Sequence, residues 1–136
     1  MITIVLPVLN EEENIELIYN SLIEELSLIK IKNFEIIFVD DGSTDNSYQI
    51  IKKICKKDIK VKLVSFTKNF GHQIAIFVGL LKSKGDLAII MDCDFQHPVE
   101  LIRVMYKEWS ENKEVIVHGV KKINNTTWLR DRLSII

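Results

Sequence analysis

Ile89-Ile90-Met91-Asp92-Cys93-Asp94-Phe95-Gln96-His97-Pro98 is the stretch on which the reading of this chain turns. An apolar run stops abruptly at two carboxylates, and a helical pattern restarts after Pro98. Residues two apart in a strand point to the same side. Asp92 and Asp94 are therefore expected to project together, with Cys93 on the opposite face. Two convergent anions at a strand end are costly unless something positive lies between them. A hard divalent cation suits them, since Mg²⁺ is held by one or two carboxylates while substrate phosphates and water complete its shell. Gln96 adds a neutral oxygen nearby. The plainer alternative is a strand that merely ends at Asp92 and a helix capped by Asp94.

The flanking pattern gives the pair a setting. Gly85-Asp86 turns into a strand from Leu87 to Met91, and Pro98 to about Asn112 reads as a helix. Upstream, Ile2 to Leu6 is a β-branched run ended by Pro7. Asn10 with Glu13 resembles a capping box for a first helix. That helix carries Ile15, Ile18, Leu22, Leu26 and Ile29 on one face. Phe34 to Val39 is a second buried strand, ending in the turn-rich Asp40-Asp41-Gly42-Ser43-Thr44-Asp45-Asn46-Ser47. A second helix to about Lys57 turns Ile50, Ile51, Ile54 and Cys55 inward. Val61 to Phe66 is the third strand. Lys68-Asn69-Phe70-Gly71-His72 leads into a third helix with Ile74, Phe77, Val78 and Leu81 inward. Val115 to His118 is a fifth strand.

Short apolar strands alternating with helices predict an α/β fold, a mostly parallel sheet covered on both faces. Ligands of such sheets sit beyond the carboxyl ends of the strands. The polar clusters fall there: Asn10-Glu11, Asp40-Asp41, Lys68-Asn69 and Asp92-Asp94. Pro7, Leu9 and the first helical turn form a wall for a flat ring. Asp40 can accept hydrogen bonds from a base or ribose, and Lys68 can neutralise phosphate. The edge reads as a nucleoside-diphosphate site with a metal-assisted leaving group. Each piece also has a plain reading. Asp40 to Ser43 can be a turn and cap, and Lys68 a solvated charge. His72 and His97 can be ligands, or else caps or exposed, and His118 structural. Trp109 and Phe77 fit core positions, and Cys93 a small core hydrophobe.

Composition bounds the rest. A chain of 136 residues makes one domain. A net charge of −1 gives no bulk attraction to nucleic acid or to an anionic membrane. Cys55 and Cys93 form no C-x-x-C and suit reduced thiols in the cytoplasm. The longest apolar run, Ile74 to Leu81, is far short of the roughly 20 residues a membrane span needs.

Val5-Leu6-Pro7-Val8-Leu9-Asn10-Glu11-Glu12-Glu13-Asn14 and Val39-Asp40-Asp41-Gly42-Ser43-Thr44-Asp45 resemble the opening motifs of family 2 glycosyltransferases, which have the GT-A fold, a Rossmann-like three-layer sandwich. Asn69-Phe70-Gly71-His72-Gln73 and Met91 to Pro98 narrow the resemblance to dolichyl-phosphate mannose synthases and bacterial polyprenyl-phosphate glycosyltransferases. The resemblance implies transfer of a sugar from a UDP- or GDP-linked donor to a polyprenyl phosphate, with inversion, for cell-envelope glycan synthesis. It implies that Pro7, Leu9, Glu11, Val39, Asp40 and Asp92 line the nucleotide pocket. It implies that Asp92 and Asp94 are the catalytic pair and, with Gln96, bind Mg²⁺ or Mn²⁺. Gly119-Val120-Lys121 is similar to a family Gly-x-Arg segment, with Lys in place of Arg. Trp128 to Ser134 resembles a later segment that contacts the acceptor phosphate, which puts Lys121, Arg130 and Ser134 on that phosphate.

Members of that branch are longer. Residues 1–136 are therefore expected to be the N-terminal, nucleotide-sugar-binding part of a GT-A domain, without the acceptor part and membrane helices. Work at the cytoplasmic face of a membrane, on its surface or with a membrane partner subunit, is the expectation. Two other classes compete. A family 2 transferase with a sugar acceptor has no need of the Phe70-Gly71-His72-Gln73 and Gln96-His97-Pro98 segments. A non-catalytic α/β module, such as a phosphoacceptor receiver, has no use for Asp-x-Asp after the fourth strand.

Overall fold

A computed structural model describes residues 1–112 and the two short strands at 117–118 and 134–135. The elements run β1 (Ile2–Val8), α1 (Ile15–Leu28), β2 (Phe34–Asp40), α2 (Ser47–Lys57), β3 (Val61–Ser65), α3 (His72–Lys82), β4 (Leu87–Ile90) and α4 (Leu101–Glu111). β5 (Val117–His118) and β6 (Ser134–Ile135) follow. The first four strands form one parallel sheet in the order β3-β2-β1-β4. β5 does not extend that sheet; it pairs antiparallel with β6.

The two-residue period of the strands sorts their side chains into two layers. Ile2, Ile4, Leu6 and Val8 of β1, with Ile36 and Phe38 of β2, face the larger core. There they meet Ile15, Ile18, Leu22 and Leu26 of α1, Ile51 and Ile54 of α2 and Ile102 of α4. The four α1 residues are fully buried, and each side chain of this size contributes about 1.5–3 kcal/mol when removed from water. On the other face Val5, Ile37 and Val39 pack against Ala75 of α3. The sheet between two helical layers is the three-layer α/β arrangement expected above.

Three local expectations are corrected. Pro7 does not end β1, which runs on to Val8 with Pro7 opposite Val39 of β2. In a parallel ladder a residue's N–H and C=O face the same neighbour. The Val5 carbonyl accepts from Met91 N, so Pro7, two residues on, faces β4, whose pairing has already stopped at Val5–Ile90. Its missing N–H costs no ladder bond.

Second, Asn10 is not the cap of α1. It sits in the left-handed region at φ 55°, and α1 starts at Ile15 after Asn14. Its Oδ1 instead accepts from Thr44 N at 2.8 Å.

Third, α3 turns a different face inward. Its buried residues are Ala75 and Gly79, while Ile74, Phe77 and Leu81 are exposed. A Cβ on Gly79 would stand 2.3 Å from Val5 Cγ1. The helix lies so close on β1 that only small side chains fit beneath it. Phe77 is thus not a core residue, and Trp109 is half-buried beside Tyr106.

Candidate active site

All four parallel strands deliver their carboxyl ends to one edge, and the loops there are tied to each other in series. The loop after β1 is bound to the loop after β2: Asn10 N donates to Ser43 Oγ, Glu11 N to Ser47 Oγ and Glu12 N to Asp45 Oδ2, at 3.0, 2.9 and 3.1 Å. Burial alone would raise the Asp45 carboxyl. The hydrogen bonds from Ser47 and Glu12 outweigh it and hold the group below the usual carboxylate range.

The loop after β2 is in turn bound to the loop after β3. Asp41, 3% exposed, accepts from Phe70 N at 2.7 Å and from Gly71 N at 2.9 Å. Gly42, at φ +73°, lets the two loops meet, since a Cβ there would lie 2.4 Å from the Lys68 carbonyl carbon. Phe70 packs edge-on against Phe66. Gly71, at φ 102°, reverses the chain into α3, and its carbonyl accepts from Ile74 and Ala75 N. His72 is thereby the first residue of α3, and its Nε2 lies 3.5 Å from Asp92 Oδ1 in the loop after β4.

These loops line an open cavity of about 350 Å³, within the usual range for small-molecule sites. It is lined by Pro7, Val8, Leu9, Glu11, Asp41, Asn69, Gly71, His72, Ala75, Asp92, Cys93 and Asp94. Of the expected nucleotide and metal residues, it brings together Pro7, Leu9, Glu11, Asp92 and Asp94. Asp92 and Asp94 reach it from a turn rather than from a strand, because β4 ends at Ile90. Asp94 Oδ1 accepts from Gln96 N at 2.9 Å, and Phe95 sits at φ 58°. Cys93 is buried as expected; burial, then Glu11, Asp92 and Asp94, push its thiol far up.

Other expected residues lie elsewhere. Val39 is fully buried under α3. Asp40 is buried and engaged, accepting from Ser43 N and Ser65 Oγ at 3.0 Å each. Gln96 is exposed outside the cavity lining, and Lys68 holds its Nζ 5.1 Å from the Phe70 ring centroid. Lys121 and Arg130 lie outside the described residues; Ser134 is described only as a backbone partner of His118 in β6. The sequence puts Asp41 and Asn69 in the polar clusters of this edge but gives neither a role of its own. An acidic pair at a strand end reads as a turn until its hydrogen-bond partners are visible.

The family model of glycosyl transferase family 2 matches residues 3–136. The chain is 42% identical over 114 residues to the uncharacterized glycosyltransferase YkcC of Bacillus subtilis, covering 84% of this chain and 35% of that protein. It is 37% identical over 116 residues to the bactoprenol glucosyl transferase of Shigella phage SfV, covering 85% and 38%. It thus spans little more than a third of the length of these relatives. S. aureus TarS 1-349, solved with UDP-GlcNAc, matches the fold with a TM-score of 0.67 at 24% identity, over 95% of this chain and 37% of that one. The mannosyltransferase PcManGT from Pyrobaculum calidifontis, solved with GDP-Man and Mn²⁺, gives 0.60 at 26% identity, over 68% and 27%. With the family model matched over residues 3–136, this chain belongs to glycosyl transferase family 2.

Proposed function

We propose that residues 1–136 are the nucleotide-sugar-binding part of a glycosyltransferase that moves a sugar from a UDP- or GDP-linked donor to a polyprenyl phosphate, with inversion. The observation that carries this reading is the convergence of Asp92 and Asp94 on a cavity walled by Pro7, Val8 and Leu9. The apolar wall suits a base, and the carboxylates suit the diphosphate end. The relative named as a bactoprenol glucosyl transferase supports a polyprenyl-phosphate acceptor.

No group of three or more His, Cys, Asp or Glu forms a metal cage among the described residues. Two carboxylates on one open cavity still fit Mg²⁺ or Mn²⁺, which takes only one or two from protein when phosphate oxygens supply the rest. Asp92 and Asp94 would hold the ion, with Gln96 close by. Bound there, it stabilises charge developing on the departing diphosphate.

The chain's own part is mainly positioning. Glu11, Asp92 and the walls fix the donor. A phosphate monoester acceptor is ionised near neutral pH, its second pKa being about 6, so attack at the anomeric carbon needs no strong general base. Displacement from the face opposite the diphosphate inverts that carbon. Lys121, Arg130 and Ser134 receive the acceptor phosphate. A lipid acceptor puts the reaction at a membrane surface, and the cytoplasmic face is the one we propose. No helix of the described residues is long and apolar enough to cross a membrane.

The test is transfer of radiolabelled sugar from UDP-glucose or GDP-mannose to undecaprenyl phosphate in detergent with Mn²⁺. Label is expected in an acid-labile, solvent-extractable lipid, and Asp94→Asn abolishes it. A chain that binds nucleotide yet labels only free oligosaccharide refutes the lipid acceptor.

A further inference from the structure

We infer that His72 is the side chain by which this cavity grips the diphosphate of its donor. The inference rests on reading the cavity as a donor site. A nucleoside diphosphate is strongly anionic, yet the lining carries four carboxylates, those of Glu11, Asp41, Asp92 and Asp94. Three are engaged within the protein. Asp41 holds the Phe70 and Gly71 N–H groups, Glu11 Oε2 accepts from Asn14 Nδ2 at 2.8 Å, and Asp94 Oδ1 accepts from Gln96 N at 2.9 Å. Asp92 and the rest of the Asp94 carboxylate face an anionic ligand, and a metal ion can answer for those two.

A side-chain donor to the phosphate oxygens would add to what a metal ion supplies. The lysine that sequence reasoning put there, Lys68, is absent from the lining and lies over Phe70. His97 is absent from it too. Among the described lining residues, His72 alone carries a basic side chain. It is half-exposed, so its ring is open to a ligand, and Nε2 lies 3.5 Å from Asp92 Oδ1, at the anionic end of the cavity. Its place is not incidental: Asp41 fixes the loop at Phe70 and Gly71, and Gly71 turns the chain so that α3 begins with His72. A nitrogen donor beside Asp92 can bridge to a phosphate oxygen that shares the same space, a charge-assisted contact of the stronger kind.

The β-phosphate is what this contact would sense, so the experiment compares diphosphate with monophosphate. UDP, UMP, GDP and GMP are titrated calorimetrically at fixed Mg²⁺ into wild type, His72→Ala and His72→Gln. Because His72 is half-exposed, both variants are expected to keep the wild-type circular dichroism. His72→Ala is expected to weaken the diphosphate about tenfold, the loss of one charge-assisted hydrogen bond, and to leave the monophosphate unchanged. His72→Gln, which keeps an N–H donor, recovers part of the loss. Equal diphosphate affinity in wild type and His72→Ala overturns the inference while leaving the donor site standing. Equal loss for diphosphate and monophosphate also overturns it, because His72 would then serve the base or the loop. Wild type that binds none of the four removes the donor reading and this inference together.

Discussion

Replacing Asp41 with Asn asks whether one buried carboxylate holds the site in shape. Asp41 is 3% exposed, and its two oxygens accept from Phe70 N at 2.7 Å and Gly71 N at 2.9 Å. Asn has nearly the same volume, so packing is conserved and the change is in hydrogen bonding. Its single oxygen keeps one N–H, as a neutral bond worth about 1 kcal/mol instead of the 1.5–3 kcal/mol of a charged one. Its NH₂ turns against the other N–H and leaves a buried donor unsatisfied, costing about 1–3 kcal/mol. Together the loss is about 2–4 kcal/mol, a large part of the 5–15 kcal/mol that holds a typical domain folded. With a urea slope near 1.5 kcal/mol/M, the unfolding midpoint falls by about 1–3 M. The assay is urea denaturation followed by circular dichroism, with nucleotide titration beside it, since a freed 69–72 loop takes His72 out of the cavity. An unchanged midpoint and unchanged nucleotide affinity would refute the view that Asp41 organises this edge.

Glu35 gives a pH signature at the opposite end of the sheet. Burial alone would raise its pKa, but hydrogen bonds from Lys62, Thr3 and Lys84 N outweigh that and hold it below the ordinary 4.5. A depressed carboxylate contributes stability that is complete above its unfolded pKa and is lost as pH falls through the folded value. Urea midpoints measured downward from pH 7 should therefore drop below about pH 4.5, and less steeply in Glu35→Gln. Gly79→Ala places a Cβ 2.3 Å from Val5 Cγ1 and should cost about 1–3 kcal/mol by overpacking, with Val5→Ala in the same chain restoring part of it. Denaturation of the single and double variants checks this. Cys93, 2% exposed and with its thiol pushed up by burial, should resist iodoacetamide at pH 8 in the native protein and react in urea, as mass spectrometry will read.

The fold was legible because its signal is redundant. Four apolar runs alternate with helical patterns, and each run ends in polar residues at the same edge. The stripe of α1 could be read for the same reason, since Ile15, Ile18, Leu22 and Leu26 are large and regularly spaced. The stripe of α3 could not: the helix is apolar almost all round, and its inward residues are the small Ala75 and Gly79, whose role comes from the closeness of Val5 and Val39. At the site, Asp92, Asp94, Pro7, Leu9 and Glu11 were legible because strand order brings their loops together. Asp40 and Asp41 show the limit. They are adjacent and both buried; Asp40 bonds Ser43 and Ser65, while Asp41 faces the cavity and holds the next loop. That division depends on Ser65, Phe70 and Gly71, each more than twenty residues away. Asn10 failed as a helix cap for the same reason, because Thr44 offered a tertiary partner instead.

The most direct test of the account is calorimetric titration of UDP and GDP, with and without Mn²⁺, on wild type and Asp94→Asn. The account predicts that one nucleotide binds wild type, that Mn²⁺ strengthens it, and that Asp94→Asn loses the metal-dependent part while staying folded. A folded wild type that binds neither nucleotide, or one whose binding ignores both Mn²⁺ and Asp94, would contradict it.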